Sequence, residues 1–166
     1  MVARVFKHLL APPWRLRSAF PRSTLDAIEA AIKASETRHS GELRFVIEAA
    51  LPLLELLRGL SSRQRAIEVF GQIRVWDTEE NSGVLIYVLL AEHRLEIVAD
   101  RGLAKRVEQG EWDVIARDMQ AAYAKGQFLA GSTAGIEAIT RLLEQHFPPG
   151  GANPNELPDR PLILKR

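Results

Sequence analysis

The fold is decided by residues 77–102, DTEENSGVLIYVLLAEHRLEIVADRG. A polar loop leads into an apolar run over residues 84–91, and a second apolar run covers residues 94–99. Both runs are short and rich in Val, Ile and Leu, which is typical of buried strands rather than helices. Only Glu92 and His93 separate the two runs, so the spacing predicts an antiparallel hairpin.

The overall composition excludes several classes of protein. With 166 residues, of which 46% are hydrophobic and 26% charged, the chain is long enough to bury one core. A net charge of +1 gives no reason to expect nucleic acid as a partner. The lack of Cys excludes disulfides, thiolate catalysis and cysteine zinc sites. No apolar run in the sequence approaches the roughly 20 residues that span a bilayer.

Residues 1–21 form a basic arm, because no acidic residue precedes Asp26. Its candidate contact residues for a membrane or a protein partner are Arg4, Lys7, Trp14, Arg15 and Arg17. Such an arm suits peripheral attachment to anionic lipid or to a partner, and the alternative is that its aromatic residues pack on the domain. Pro12 and Pro13 interrupt the apolar run too early for a signal peptide. We therefore expect a cytoplasmic protein, with peripheral contact to the inner membrane as an option.

Apolar spacing and turn residues predict the remaining elements. Ser61 and Gln64 form a capping box, and the helix after it should bury Trp76. Ser23 and Asp26 form a similar box at the start of the first helix. The periodicity also predicts a strand over residues 43–51 and helices over residues 111–125 and 128–147.

Five short motifs follow one another in a set order along residues 22–148. They are Glu36-Thr37 before Gly41-Glu42 and a strand, Asn81-x-Gly83-Val84-Leu85, Val98-Ala99-Asp100-Arg101-Gly102-Leu103, the Trp112 helix, and Gly126-x-Phe128. Their order and spacing resemble the TPM domain family of thylakoid-lumen and photosystem II repair proteins and their bacterial homologues. The resemblance implies an α/β fold, a Rossmann-like α/β/α sandwich with a small mixed central sheet flanked by helices. Some members look like acid phosphatases, some bind calcium, and many act in membrane-protein assembly or repair.

The chain then divides into three parts: the basic arm at residues 1–21, a TPM-like domain at residues 22–148, and a Pro-rich tail at residues 149–166. The tail is expected to be extended or disordered. Leu162–Leu164 nevertheless have the composition of an edge strand.

The connection from strand 43–51 to strand 84–91 should be a parallel crossover, and the hairpin then returns the chain to the same end of the sheet. Residues 77–83 and 100–102 should therefore meet at this end, which we call the amino edge. The candidate metal ligands there are Asp77, Glu79, Asn81, Asp100 and Glu42, with Arg101 as a candidate phosphate-binding residue and His39 as a candidate general acid. Such oxygen ligands suit calcium or magnesium. The alternative is a solvated acidic loop with turn chemistry.

The opposite end of the sheet, which we call the carboxyl edge, is where open α/β sheets usually bind ligands. Strand 43–51 runs into Ala49, Ala50, Leu51 and Pro52 there, without a Gly-rich phosphate loop. A dinucleotide or P-loop site is therefore not expected. A ligand site, if the protein has one, is predicted at the amino edge instead.

The favoured functional prediction is a non-enzymatic TPM-type module in an envelope-associated process. It would act through contacts with a protein partner, with a divalent cation at the 77–83/100 edge as an option. One alternative is a metal-assisted acid phosphatase, in which Asp77, Asn81 and Asp100 hold the ion and Arg101 binds phosphate. Another is a peripheral lipid-surface adaptor that uses the basic arm. The sequence leaves catalytic residues, substrate, partner identity and oligomeric state open.

Overall fold

Four strands form one mixed sheet in the computed structural model, which describes residues 2–9, 13–150 and 154–164. The strands are β1 (Glu42–Glu48), β2 (Gly83–Leu89), β3 (Arg94–Ala99) and β4 (Leu162–Leu164), in the spatial order β3-β2-β1-β4. β1 pairs in parallel with β2 and β4, whereas β2 and β3 are antiparallel. The predicted hairpin and the parallel pairing of the first two strands are both confirmed.

Helices cover both faces of the sheet, as an α/β/α sandwich requires. They are α1 (Val2–Leu9), α2 (Pro13–Ala19), α3 (Arg22–Glu36), α4 (Leu53–Leu57), α5 (Ser62–Gln72), α6 (Arg101–Ala104), α7 (Gln109–Ala124) and α8 (Phe128–His146). Alternate residues of β1 and β2 enter two separate apolar clusters. One cluster lies under α3, α7 and α8, and the other lies under α4, α5 and the tail. Both faces of the small sheet are therefore buried.

Two predicted details of the helices are wrong, and a third is confirmed. The Ser61–Gln64 capping box is present at the start of α5. α3 instead begins at Arg22 after Pro21, with no side-chain cap, so Ser23 lies inside the helix. Trp76 is 47% exposed, because α5 ends at Gln72 and the chain turns before the tryptophan.

The two ends of the chain contribute regular structure. The arm forms α1 and α2, and the tail adds β4 to the sheet beside β1, as the edge-strand composition predicted. Pro12, on which the argument about a signal peptide rests in part, and residues 151–153 of the tail lie outside the described residues. Among the helices that the structure does describe, none is long and apolar enough to cross a bilayer.

Candidate functional site

The amino edge brings together the two segments that the topology predicted to meet. The Asp100 N–H donates to the Gly83 carbonyl at 2.9 Å, and the Gly102 N–H donates to the Asn81 carbonyl at 3.1 Å. The Arg101 guanidinium also donates from Nε to the Asn81 side chain at 2.8 Å. Residues 17 or more apart in sequence are thus joined by backbone as well as side-chain hydrogen bonds.

Two glycines make this close approach possible. A Cβ on Gly83 would lie 2.0 Å from the Val75 carbonyl oxygen, and a Cβ on Gly102 would lie 2.5 Å from the Asn81 carbonyl oxygen. Neither contact is sterically allowed, so a larger residue at either position would force the neighbouring backbone to move. The glycines of the Asn-x-Gly and Asp-Arg-Gly motifs therefore have a packing role.

The predicted metal ligands do not gather around one point. Asp77 accepts a hydrogen bond from Arg74 at the surface, and Glu42 accepts one from the buried Leu157 N–H at 3.1 Å. The register places Glu42 and Asp100 two strands apart, on either side of Gly83, so about 10 Å separates their backbones. The Val75 carbonyl occupies the space over Gly83 between them.

Glu79 is exposed, and its backbone N–H donates to the Glu156 carboxylate of the tail at 3.0 Å. Within residues 2–9, 13–150 and 154–164, no group of three or more His, Asp or Glu side chains is placed to hold a metal ion. A complete site built from Asp77, Glu79, Asn81, Asp100 and Glu42 therefore does not fit the side-chain positions.

The two carboxylate oxygens of Asp100 have different surroundings. Its Oδ1 accepts from the Arg101 N–H at 2.7 Å and caps α6. Its Oδ2 is buried and has no hydrogen-bond partner among the described residues. A buried carboxylate oxygen without a donor is costly, so this atom marks the place where a cation or water would be most favourable.

His39 belongs to the core rather than to a reactive site. The Gly41 N–H donates to its Nδ1 at 3.2 Å, so the proton lies on Nε2, which is 2.8 Å from the Ser35 hydroxyl. That hydroxyl lies 2.6 Å from Thr140, which donates to the Ile136 carbonyl. Burial lowers the pKa of His39 to about 4. A neutral, fully buried imidazole is a poor general acid, so that candidate role is not supported.

A second polar pocket, which the sequence did not indicate, lies between α3 and the tail. Glu36, Glu42, Asn155 and Asp159 line a cavity of about 420 Å³. Burial, together with the charge of Glu42, raises the pKa of Glu36 to about 9. The cluster forms because β4 carries the acidic tail residues back onto the sheet, and no spacing rule in the sequence reports that return.

The first helix of the arm is attached to the domain through its polar side chains. The Leu51 N–H donates to Nδ1 of the buried His8 at 2.9 Å, and His8 Nε2 lies 2.8 Å from the Glu92 carboxylate. Arg4 donates to the same carboxylate at 2.6 Å. Arg4, predicted to contact a membrane or partner, therefore faces the domain.

The same helix presents its large apolar side chains to solvent. α1 packs beside α4, and five large apolar residues of this pair are each 47–57% exposed. We call them the α1/α4 apolar surface: Phe6, Leu9, Leu53, Leu54 and Leu57. Exposed apolar side chains gathered in this way mark interaction surfaces on folded proteins.

The other predicted contact residues of the arm are exposed to solvent. Trp14 is 64% exposed, and Lys7, Arg15 and Arg17 are exposed. The side chains of these three cations make no hydrogen bond or ion pair with any described residue. The aromatic residue at the end of the arm behaves differently, because Phe20 is buried against Phe45, Tyr123 and Phe128.

The carboxyl edge holds a cavity of about 400 Å³, contrary to the expectation that this end of the sheet would be poor in features. Its walls come from α2, the ends of β1 and β2, the hairpin turn and α7. The residues that follow β1 in the sequence exclude a phosphate loop but do not report this cavity. The cavity depends on the arm helix α2, which folds over residues that are distant in sequence.

Comparison with known proteins agrees with this architecture. The TPM domain family model matches residues 17–142. The NMR structure of the BA42 protein from the psychrophilic bacterium Bizionia argentinensis shares 28% identity with the chain, with a TM-score of 0.71. The match covers 85% of this chain and 92% of BA42.

A second solved structure supports the fold alone. The N-terminal domain of a protein from P. gingivalis shares 19% identity with a TM-score of 0.56, over 74% of this chain and 76% of that domain. None of the curated proteins compared with the chain matches it. The family model covers most of the residues that build the sheet and its helices, so this chain belongs to the TPM domain family.

Proposed function

We propose that this TPM domain is a non-enzymatic module of an envelope-associated process, and that it docks on an anionic membrane surface through the α1/α4 apolar surface. The observation that supports this most directly is the orientation of α1, which binds the domain with His8 and Arg4 and leaves Phe6 and Leu9 in solvent. A helix that only stabilised the fold would bury its apolar residues.

Charge favours lipid over a protein partner as the occupant. Lys7, Arg15 and Arg17 are exposed and unpaired among the described residues, so their charge is available to lipid phosphates. Each basic residue near an anionic bilayer contributes about 1 kcal/mol, and each buried Leu or Phe about 1.5–3 kcal/mol. A combination of both terms is what peripheral attachment requires.

Vesicle co-sedimentation tests this proposal directly. The protein should bind vesicles that contain phosphatidylglycerol and bind neutral phosphatidylcholine vesicles at least about tenfold more weakly. Leu54→Glu with Leu57→Glu should reduce binding by at least about tenfold. The matched control is Ile67→Glu with Val114→Glu, which alters exposed apolar residues of α5 and α7 that lie outside the surface.

Point substitutions are preferable to deletion of residues 1–21, because deletion would uncover the core around Phe20. Equal binding by the two double variants would overturn the proposal. A photo-crosslinker at Leu54 that yields a defined protein adduct, in a protein that does not bind vesicles, would favour a protein partner instead.

A divalent cation at the amino edge is a second proposal, supported by the buried, unpartnered Oδ2 of Asp100. Calcium bound with a Kd near 10 μM would stabilise the fold by about 2.7 kcal/mol at 1 mM ion. Asp100→Asn should remove that stabilisation, whereas Asp77→Asn, which alters a surface pair, should retain it. A melting temperature that does not respond to calcium would contradict this proposal. The phosphatase alternative further requires hydrolysis of a phosphomonoester that Asp100→Ala abolishes.

A further inference from the structure

We propose that the cavity at the carboxyl edge binds a small amphipathic carboxylate, with its apolar body inside and its charged group on Arg15 and Arg94. This site is distinct from the α1/α4 apolar surface and from the amino edge. The cavity volume of about 400 Å³ falls within the ~300–1,000 Å³ typical of small-molecule sites. It also lies beyond the ends of the parallel strands β1 and β2, where open α/β sheets most often bind ligands.

The walls of the cavity favour a ligand with an apolar portion. Leu16 of α2, Val88 of β2 and Tyr123 of α7 contribute to them, and Leu90 and Phe128 complete the apolar lining. Leu16 is itself anchored in the main core, so α2 is a fixed wall of the cavity. An apolar group placed here would contact packed side chains on several sides, which is the condition for favourable burial.

The basic residues around the cavity favour a ligand with an anionic group. Among the described residues, the cavity lining contains Arg15, His93 and Arg94 and no carboxylate. Neither arginine side chain makes a hydrogen bond or ion pair with a described residue. A guanidinium donates two parallel hydrogen bonds to a carboxylate, so two unpaired guanidiniums beside an apolar cavity match a carboxylate attached to an apolar body.

The hairpin turn brings a further polar residue to the cavity. His93 caps the turn with a φ of 52° and lines the cavity together with the neighbouring Arg94.

Calorimetry with decanoate, kept below its micelle concentration, tests the proposal. Decanoate should bind. Decanol lacks the carboxylate and acetate lacks the long apolar chain, so each should bind at least about tenfold more weakly. Arg94→Gln and Arg15→Gln should each raise the Kd at least about tenfold. Arg17→Gln is the matched control, because Arg17 lies on the same helix and is exposed but does not line the cavity.

A second variant tests the cavity itself. Ala124→Phe adds a ring at an exposed lining position of α7, so it should block the cavity without disturbing the core. Decanoate-induced amide shifts should appear at residues 14–19 and 90–94 and be absent from residues 77–83. The proposal is overturned if decanoate does not bind, if decanol binds equally well, if Arg94→Gln has no effect on the Kd, or if the shifts map to the amino edge.

Discussion

The two edges of the sheet differ in how their charged groups are used. At the amino edge, Arg101 is bonded to Asn81, Asp77 to Arg74 and Glu42 to the tail. At the carboxyl edge, Arg15 and Arg94 have no partner among the described residues and stand beside an apolar cavity. The amino edge has more charged residues, but most of their side chains are engaged in hydrogen bonds or ion pairs within the protein. A high density of charged residues is a weaker sign of a binding site than an unpaired charge beside an apolar cavity.

The largest expected effect comes from disrupting the close packing of the amino edge. Gly83→Ala would place a methyl group 2.0 Å from the Val75 carbonyl oxygen, and the backbone must move to relieve that clash. We expect a loss of about 3 kcal/mol or more in the free energy of unfolding, measured by urea denaturation.

The control for that substitution is Gly71→Ala in α5, where nothing lies within 4 Å of the added Cβ. Alanine favours the helix there, so the control should raise stability by about 0.5–1 kcal/mol. A mild effect of Gly83→Ala would mean that the amino edge is more loosely packed than the structure shows.

The next effect is a pH dependence that originates in the pocket between α3 and the tail. The pKa of Glu36 is raised from 4.5 to about 9 by burial and by Glu42, so the folded state holds a proton that the unfolded chain releases. Stability should therefore fall as pH rises through this window, by up to about 1.4 kcal/mol per pH unit.

Glu36→Gln removes the titrating group and should flatten the stability profile between pH 7 and pH 9, a window above the pKa of His39 in both states. Chemical denaturation at several pH values measures the slope. Glu111→Gln, on the exposed first turn of α7, is the control and should keep the native slope.

A smaller effect is expected from releasing α1 from the hairpin turn. His8→Ala removes the acceptor for the Leu51 N–H and one of the partners of Glu92. Loss of buried hydrogen bonds of this kind should cost about 1–3 kcal/mol in the free energy of unfolding. Lys7→Ala alters an exposed residue of the same helix and should change stability by less than about 0.5 kcal/mol, which a thermal melt can verify.

The smallest effects distinguish the arginines of the two edges. Arg101→Ala removes an exposed hydrogen bond to Asn81 at the amino edge and should cost at most about 1 kcal/mol. Arg94→Gln should leave stability unchanged within about 0.5 kcal/mol, because its side chain makes no hydrogen bond or ion pair with a described residue. A larger loss for Arg94→Gln in a thermal melt would show that this residue has a structural partner.

Much of the fold follows from local pattern. The hairpin, the α5 capping box and the start of α8 are confirmed, and α7 begins at Gln109, two residues before its predicted start. Strand composition, capping residues and helical spacing each act over a few residues. The exposed Trp76 shows the limit of this reasoning. Helical spacing continued through residue 76 in the sequence, but α5 ends at Gln72, and Arg74 adopts a left-handed conformation with φ of 58°.

The candidate sites depend on contacts between segments that are far apart in sequence. The meeting of residues 77–83 with residues 100–102 was predictable, since a parallel crossover and a hairpin allow few topologies. The hydrogen-bond partners of the side chains were not predictable. Glu42 bonds to Leu157 and Arg4 to Glu92, which are 115 and 88 residues away in sequence. Such pairs form only when the arm and the tail fold back onto the sheet.

The sequence by itself determined the α/β class, the hairpin and the family to which the chain belongs. Those properties rest on periodicity, turn chemistry and motif order, which are local. Only the tertiary structure decided which charges are paired, which apolar residues remain in solvent and where a cavity opens. Pairing, exposure and cavity formation each depend on segments distant in sequence packing against one another, and no local pattern encodes that packing.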